Sequence, residues 1–339
     1  MGVSIIDLAN YCNLSVSTVS RALNNQYGVS ERARKKVLQA VDELGYVPNE
    51  GAKELVRKRS NVIGLILHGD DYEVEPAFLN HLPYINQVLK EAGKDTMIQT
   101  VSRVNYRKGE LQQFIQKRNF EGCIIFPGFL KGHPIFEDVS RMTTPVVVLE
   151  EDMTAPHCST VNTDEVLGGY LAVEHLILSG HKHIGFVNGP SFIHISNLRY
   201  QGYKHALQRH GILYKEEYVL ESNYKGEGGA DSAVELLRIN PEISAIFFAN
   251  DVMAMGAISR LTKLKISIPK DISIIGYDGH KLTQFYNPPL TTIQIDYKQI
   301  AITASKELLK LIAGGTGGNE LIKPKLIDRE SVRIIRNKS

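Results

Sequence analysis

The stretch SIIDLANYCNLSVSTVSRALN at residues 4–24 decides the fold of the amino-terminal part of this chain. Apolar residues recur at helical spacing on both sides of a short polar break, which predicts two short amphipathic helices joined by a tight turn. Ser4 and Asp7 make a capping-box-like pair at the start of the first helix, and Ser15 can cap the second. Asn13 can adopt the left-handed conformation that ends a helix. The pattern therefore predicts a helix-turn-helix unit.

The second helix of this unit has an outward face suited to DNA. That face carries small, polar and cationic side chains: Val16, Ser17, Ser20, Arg21 and Asn24. An arginine can donate a fork of hydrogen bonds to guanine in the major groove, while Val16 and Ser17 can reach thymine methyl groups and base edges. A third helix, capped by Ser30, supplies the small core that the pair needs. The alternative interpretation is a plain three-helix subdomain whose outer face is merely solvated.

Charge is distributed unevenly along the 339 residues, although the net charge is only +2. Residues 1–60 hold nine Lys and Arg against six Asp and Glu, and the rest of the chain holds 30 against 31. Basic side chains cluster at Lys53 and at 57–59, where the chain would leave the duplex. A solvated linker is the alternative interpretation of that cluster. The length allows two or three domains with substantial cores.

Cysteine usage and hydropathy indicate the compartment. Three cysteines, an odd number without metal-like pairing, are typical of a reducing environment. The sequence has neither an apolar amino-terminal signal region nor an apolar run of membrane-spanning length. We therefore expect a cytoplasmic protein that does not associate with a membrane.

From residue 62 onward, strand-like and helix-like patterns alternate. Short runs rich in β-branched residues occur at 62–67, 123–126, 146–149, 184–187, 245–248 and 272–275. Such alternation predicts parallel sheets covered by helices on both faces, the doubly wound α/β arrangement. Because the block is larger than one ordinary sheet needs, we expect two such subdomains that face each other across a cleft.

Polar residues that follow these strands mark a candidate ligand site, since parallel sheets bind ligands at the carboxyl ends of their strands. Glu150, Asn250 and Asp278 occupy such positions, and Arg199 lies near a predicted helix start. Carboxylates, an amide and a guanidinium together match a ligand with several vicinal hydroxyls. Tyr224 and Tyr297 are candidates for stacking on a sugar. The alternative roles are helix caps for the carboxylates and ordinary packing for the tyrosines.

Two other classes of protein are alternatives to a regulator. A metal enzyme would need His175, His181 and His183 on one helix, but Ser179 and Gly180 interrupt the helical pattern between them. No phosphate-binding glycine loop, nucleophile elbow or cysteine–histidine pair stands out, so we expect no catalysis, metal or cofactor. A periplasmic-type sugar receptor would share the two-lobed core but would lack residues 1–60.

The sequence resembles the lactose/galactose repressor (LacI/GalR) family of bacterial transcription regulators over nearly its whole length. The resemblance rests on these segments: VSTVSR at 16–21, ELGYVPN at 43–49, IGLI at 63–66, EHL at 174–176, SGHKHIGFVNGP at 179–190, ANDVMAMG at 249–256, IPKDISIIGYD at 268–278 and PPLTTI at 288–293. It implies a helix-turn-helix domain followed by a two-lobed core like that of periplasmic binding proteins.

The resemblance also implies boundaries. It places the DNA-binding domain at 1–47, a hinge helix and linker at 48–61, and the ligand-binding and dimerisation core at 62–339. Because the chain of such cores crosses between lobes more than once, the expected N-subdomain is about 62–161 with 291–320. The expected C-subdomain is about 162–290 with 321–336.

Roles for individual residues follow from the same resemblance. The expected DNA contacts are Ser4, Ser15, Val16, Ser17, Ser20, Arg21, Asn24, Asn49, Lys53 and Leu55. In the family, the leucine matching Leu55 wedges into the minor groove and kinks the DNA. Glu50, Gly51 and Glu54 depart from the usual hinge residues. The expected ligand contacts are Glu150, Arg199, Tyr224, Asn250, Asp278 and Tyr297.

These expectations describe a regulator that acts as a homodimer on palindromic double-stranded operator DNA. The carboxylate-rich pocket favours a sugar or sugar phosphate as the small-molecule effector. A purine-like corepressor and a partner protein are the alternatives. The sequence leaves open whether the ligand weakens or strengthens operator binding, because only its differential affinity for two states decides the sign.

Overall fold

A computed structural model describes residues 3–46, 60–69 and 76–335. The chain forms two compact units, Met1–Ser60 and Asn61–Ser339. Within the described ranges, no helix is long and apolar enough to cross a membrane.

The first unit contains three helices: α1 (Ile5–Cys12), α2 (Val16–Leu23) and α3 (Glu31–Leu44). The expected capping box at Ser4 is present, and Asn13 ends α1 in the left-handed region with φ of 49°. Ser15 and Ser30 cap the next two helices through their side chains. The apolar faces meet in one small core: Leu8, Ala9, Cys12, Val19, Ala22, Val37, Ala40 and Tyr46. The predicted helix-turn-helix arrangement is thus confirmed.

The second unit alternates strands and helices. Its strands are β1 (Val62–His68), β2 (Asp95–Val101), β3 (Gly122–Ile125), β4 (Val146–Leu149), β5 (Cys158–Thr163), β6 (Ile184–Asn188), β7 (Val219–Glu221), β8 (Ala245–Phe248), β9 (Ser273–Asp278), β10 (Thr291–Gln294), β11 (Asn319–Ile322) and β12 (Lys325–Ile327). Its α-helices are α4 (Pro76–Glu91), α5 (Glu110–Arg118), α6 (Pro134–Arg141), α7 (Glu165–Leu178), α8 (His194–Arg209), α9 (Gly226–Ile239), α10 (Asp251–Lys263) and α11 (Tyr297–Ile312). Short 3-10 helices span Glu216–Tyr218 and Lys281–Phe285.

The strands form two six-stranded sheets in the described part of the chain. The first sheet has the order β11-β5-β4-β3-β1-β2, and all of its neighbours are parallel. The second has the order β12-β10-β9-β8-β6-β7, in which only β12 runs antiparallel to its neighbour. Every residue of the inner strands β3, β4 and β8 is buried, as β-branched and aromatic runs covered on both faces require. The two doubly wound lobes are therefore confirmed.

One expected crossing point is wrong. The return of the chain to the first lobe was expected at about residue 291, but Thr291–Gln294 forms β10, which pairs with β9 in the second sheet. The chain leaves the second sheet only after this strand, and α11 then packs against the first sheet. The four residues of β10 belong to the second sheet because each pairs in parallel register with one residue of β9. The crossings expected at about 161 and 320 are likewise displaced by two residues each, because β5 and β11 pair in the first sheet to their last residues, Thr163 and Ile322. The boundaries of the DNA-binding domain and of the hinge stay predictions.

Close packing of α9 against α10 depends on a glycine. A β-carbon built on Gly256 would lie 1.9 Å from the carbonyl oxygen of Gly226, which is backbone and cannot rotate away. A β-carbon built on Gly226 would meet nothing closer than 3.5 Å. The short distance between α9 and α10 is therefore possible only because Gly256 has no β-carbon.

This contact predicts different effects for two glycine substitutions. Gly256→Ala should lower the free energy of unfolding by about 1 to 3 kcal/mol, because the helices must move apart. Gly226→Ala, the matched control, should be neutral, because its added methyl group meets only ordinary contacts. Urea unfolding of both variants measures the difference, and equal midpoints would contradict the close approach.

Candidate functional site

The outward face of α2 lies as the sequence predicts. Val16 is 42% exposed, Ser17 and Arg21 are exposed, and Ser20 and Asn24 are half-buried. The side chain of Asn24 donates to the carbonyl oxygen of Ser20 at 2.8 Å. The face can therefore meet a groove while the opposite side of α2 packs in the core.

Two further candidate DNA contacts are helix caps. The Ser4 hydroxyl accepts from the backbone N–H of Asp7 at 3.2 Å and donates to its carboxylate at 2.6 Å. The Ser15 hydroxyl accepts from the Thr18 N–H at 3.1 Å. Both serines are exposed at helix N-termini, where orphan N–H groups and the helix dipole favour an anion such as a phosphate. The expected contacts at Asn49, Lys53 and Leu55 lie outside the described residues.

Arg199 is a buried cation of the core. It lies on α8 with 3% of its side chain exposed. Its Nε and Nη2 donate to the two carboxylate oxygens of Glu165, at 2.7 and 3.2 Å, and its Nη1 donates to the Ala249 carbonyl oxygen at 2.5 Å. The guanidinium carbon also lies 3.8 Å from the ring centroid of Tyr277. Neighbouring groups therefore already neutralise and orient this guanidinium.

Asp278 ends β9 next to that cation. Its carboxylate lies 3.7 Å from Arg199 Nη1, and its side chain is 26% exposed. Burial raises the pKa of Asp278, as do the neighbouring carboxylates of Asp251, Glu165 and Glu150, while Arg199 opposes the shift. Its φ of 105° is rare for a side-chain-bearing residue and shows that the surrounding structure imposes its orientation.

Asn250 and Tyr224 lie together across the ends of two elements. The amide of Asn250 caps α10 by accepting from the Met253 N–H at 2.9 Å, and it donates to the Tyr224 carbonyl oxygen at 3.0 Å. The Tyr224 hydroxyl lies 2.8 Å from the Ser196 hydroxyl on α8. The structure therefore joins these two candidates directly, and the capping role weighed for Asn250 is present.

Glu150 and Tyr297 reach the same region from the first lobe and from the start of α11. Glu150 follows β4 with φ of 58°. Tyr297 is half-buried, with its ring centroid 5.1 Å from that of His81. Burial raises the pKa of Tyr297, and the charges of Asp278, Glu150 and Glu165 raise it further while Arg199 lowers it. The candidate side chains are thus close enough to interact electrostatically.

A small cavity of about 50 Å³ lies beside this group. Three carboxylates line it together with neutral polar and apolar side chains: Glu150, Asp152, Asn162, Thr163, Glu165, His194, Ile195, Leu198 and Leu321. Its walls come from the ends of β4 and β5, from β11, and from the starts of α7 and α8. The cavity therefore lies between the two lobes.

Sequence reasoning missed Glu165 and passed over Asp251. Glu165 follows β5 directly after the capping residue Asp164, so it occupies the kind of strand-end position used to find the other candidates. Asp251 is fully buried, accepts from the Thr292 hydroxyl and the His280 N–H at 2.7 Å each, and has a pKa raised by burial to about 7. Its carboxylate is engaged within the second lobe.

The three histidines considered for metal binding have separate partners. His181 contacts the Ser244 hydroxyl at 2.8 Å, and His183 contacts the Tyr218 hydroxyl at 2.8 Å. His175 lies 3.4 Å from Asp328. Among the residues that the structure describes, no group of three or more His, Cys, Asp or Glu side chains is arranged to hold a metal ion.

Comparison with family models divides the chain as its architecture does. Residues 4–49 match the model described as bacterial regulatory proteins, lacI family, and residues 173–332 match a periplasmic binding protein-like domain. The chain is 31% identical to the HTH-type transcriptional repressor CytR of Escherichia coli strain K12, over 97% of this chain and 96% of that protein. It is 30% identical to the probable repressor ExuR of Bacillus subtilis strain 168, over 92% of each.

Solved structures of transcriptional regulators also match this chain. The lac repressor dimer bound to operator and the anti-inducer ONPF matches with a TM-score of 0.86 and 27% identity, covering 98% of this chain and 100% of that one. A complex of the transcriptional regulator CelR with cellobiose matches with a TM-score of 0.73 and 25% identity, over 97% and 99% of the two chains. The likeness thus extends over both units of the chain.

The buried ion pair predicts a large effect for a small change. Glu165→Gln should lower the free energy of unfolding by about 3 kcal/mol, because the Arg199 charge loses its bidentate counter-ion in a buried place. Glu235→Gln is the matched control, since Glu235 makes the same two-bond contact with Arg238 on an exposed surface. Chemical unfolding should show little change for the control, and equal effects would disprove the importance of burial.

Proposed function

Because the chain belongs to the LacI family of bacterial transcription regulators, we propose that it is a repressor whose operator affinity is switched by a small molecule bound between its two core lobes. The proposal rests on two features of one chain: the exposed, capped helix α2 and the polar site between the lobes. We propose that the protein binds its ligand and does not catalyse a reaction.

The proposed DNA-binding residues are those on or beside α2. Arg21 would read a guanine, Val16 and Ser17 would contact neighbouring base edges, and Ser4 and Ser15 would meet phosphates at the helix N-termini. One recognition helix reads few base pairs, so a homodimer would read both halves of a palindromic operator. The dimer–operator complex of the lac repressor supports this assembly.

The proposed hinge comprises residues 48–61, with 1–47 as the DNA-binding domain and 62–339 as the core. Most of this segment lies outside the described residues. We propose that two chains bring their hinges together on DNA. Leu55 would then wedge into the minor groove while Lys53 meets phosphates or base edges.

The proposed effector is a polyhydroxylated small molecule such as a sugar, and the charges of the site argue against a phosphate on it. The proposed contacts are Glu150, Arg199, Tyr224, Asn250, Asp278 and Tyr297. The Arg199 guanidinium, which would receive an anion, is already bound by Glu165 and lies beside Asp278. An incoming phosphate would face an excess of carboxylates, whereas hydroxyls can donate to them.

Coupling between ligand and DNA would follow from lobe movement. A ligand that contacts both lobes favours one relative angle of them, and the spacing of the two hinges in a dimer changes with that angle. We propose that the ligand lowers operator affinity. Selection of binding sites from a pool of random duplexes tests the function as a whole: a palindromic consensus is expected, and recovery of no sequence preference would overturn it.

Arg21→Ala should lose discrimination among base sequences while weak, salt-sensitive binding to any duplex remains. The side chain is exposed on α2, so the substitution leaves the core of the first unit intact. Loss of a bidentate base contact costs about 1 to 3 kcal/mol of specificity. A gel-shift series on the selected site and its single-base variants measures this, and an unchanged order of preference would exclude the proposed docking.

Asp278→Asn should weaken the response to ligand and leave operator binding intact. The substitution keeps the shape of the side chain but removes the negative charge beside Arg199. A thermal-shift screen of sugars on the wild-type protein identifies an effector. Calorimetric titration of the variant with that sugar should show at least a tenfold loss of affinity, which corresponds to about 1.4 kcal/mol. A normal titration of the variant would remove Asp278 from the site.

A further inference from the structure

We propose that Asp251 is a positioning residue for the ligand site. Its carboxylate does not touch the ligand but holds the turn that carries Asp278 against the helix start that carries Asn250. This inference rests on the proposed function and deepens it, because it names what fixes the spacing of two proposed ligand contacts. It comes from the hydrogen bonds of a carboxylate that is fully buried in the second lobe.

Asp251 joins three elements of that lobe. It is the first residue of α10 and follows the cap Asn250 directly. Its Oδ2 accepts from the His280 N–H at 2.7 Å, just beyond the end of β9. Its Oδ1 accepts from the hydroxyl of Thr292 on β10, also at 2.7 Å. The start of α10, the end of β9 and the strand β10 therefore meet at one side chain.

The turn after β9 has a backbone that needs such support. Asp278 has φ of 105° and Gly279 has φ of 73°. A residue with a β-carbon keeps such a positive φ only where its surroundings impose it. The next N–H, of His280, is bound by Asp251, and the Gly279 N–H donates to the Thr292 hydroxyl oxygen at 3.4 Å. Asp251 and Thr292 together therefore hold the backbone that aims the Asp278 carboxylate.

The sheet leaves room for the Asp251 carboxylate at Gly276. In the parallel register of β9 and β10, Gly276 lies opposite Thr292. A β-carbon built on Gly276 would lie 2.2 Å from Asp251 Oδ1, so a larger residue there would push the carboxylate away from the Thr292 hydroxyl. An acidic side chain that only opposed the dipole of its helix would need none of these contacts. The place of Asp251 is thus shaped by the sheet as well as by α10.

Both bonds of Asp251 survive a change in its protonation. Burial raises the pKa of this carboxyl to about 7. A carboxylate accepts from the Thr292 hydroxyl, and a protonated carboxyl can donate to the same oxygen, because a hydroxyl both donates and accepts. The His280 N–H keeps its acceptor in either form. The link from α10 to the turn therefore holds on both sides of that pKa.

Two neighbouring threonines of β10 separate positioning from stability. Thr291 and Thr292 are both fully buried, and successive residues of a strand face opposite sides of the sheet. The Thr291 hydroxyl accepts from the backbone N–H of Arg329 at 2.9 Å. Since Thr291→Val and Thr292→Val each remove a bonded hydroxyl, both should lower the unfolding midpoint. Only Thr292→Val should weaken sugar binding, by about fivefold, as expected for the loss of one hydrogen bond.

Calorimetric titration of the full-length variants measures the affinities, and urea unfolding measures the midpoints. The probe is whichever of D-ribose, D-glucose, D-galactose and cellobiose gives the largest thermal shift with the wild-type protein. Thr292→Ser keeps the hydroxyl and should bind this sugar as the wild type does. Equal affinities of Thr291→Val and Thr292→Val overturn the proposal.

Substitution of Asp251 itself gives an independent measurement. Asp251→Ala removes both acceptors and should weaken binding of the same sugar more than Thr292→Val does. Asp251→Asn keeps an oxygen for the His280 N–H and turns an N–H toward the Thr292 hydroxyl, so it should recover most of that loss. Equal losses in Asp251→Ala and Asp251→Asn contradict the positioning role. If Asp251→Ala does not fold, the comparison of the two threonines decides alone.

Failure of this inference differs from failure of the proposed function. If none of the four sugars binds the wild-type protein, the proposed sugar effector fails and the inference falls with it. If a sugar binds and releases the selected operator while Thr291→Val and Thr292→Val bind it equally, the repressor function stands and the positioning role of Asp251 fails.

Discussion

The ion pair between Arg199 and Glu165 is the contact on which the inter-lobe site depends. Burying a guanidinium costs several kcal/mol unless its charge and its donors are all matched. Glu165 at the start of α7 supplies both carboxylate oxygens, the end of β8 supplies the Ala249 carbonyl, and Tyr277 of β9 supplies a ring face. Four elements are thereby held at one point, and Asp278 takes its position from the same cation.

Two glycines, one on α7 and one on α8, let these helices approach closely enough for Glu165 and Arg199 to pair. A β-carbon on Gly169 would lie 2.4 Å from the Arg199 carbonyl oxygen, and one on Gly202 would lie 2.3 Å from the Val166 carbonyl oxygen. Only residues without a β-carbon allow α7 and α8 to pack so closely. The short distance between Arg199 and Glu165 is thus a result of backbone packing, and the charge balance of the cleft follows from it.

That charge balance changes how the binding residues are interpreted. The sequence pattern presents Arg199 as a free donor for a ligand, whereas in the structure its Nε, Nη1 and Nη2 all have protein partners. The first role of Arg199 is therefore to position elements of the second lobe and to compensate their negative charge. We therefore propose that ligand recognition falls more heavily on the hydrogen-bond acceptors around it than on Arg199 itself.

Short-range rules were sufficient for much of this protein. The caps at Ser4, Ser15 and Ser30, the left-handed Asn13 and the buried β-branched strands all depend on neighbours within a few residues, so the sequence alone determined them. The same applies to the placement of Glu150, Asn250 and Asp278 after strands. The tertiary structure decided the pairing of Arg199 with a residue 34 positions away, the strand β10 that stays in the second sheet, and the cavity between the two lobes. These features depend on how whole elements pack in space. The pattern within a single segment carries no information on which distant segments it will contact.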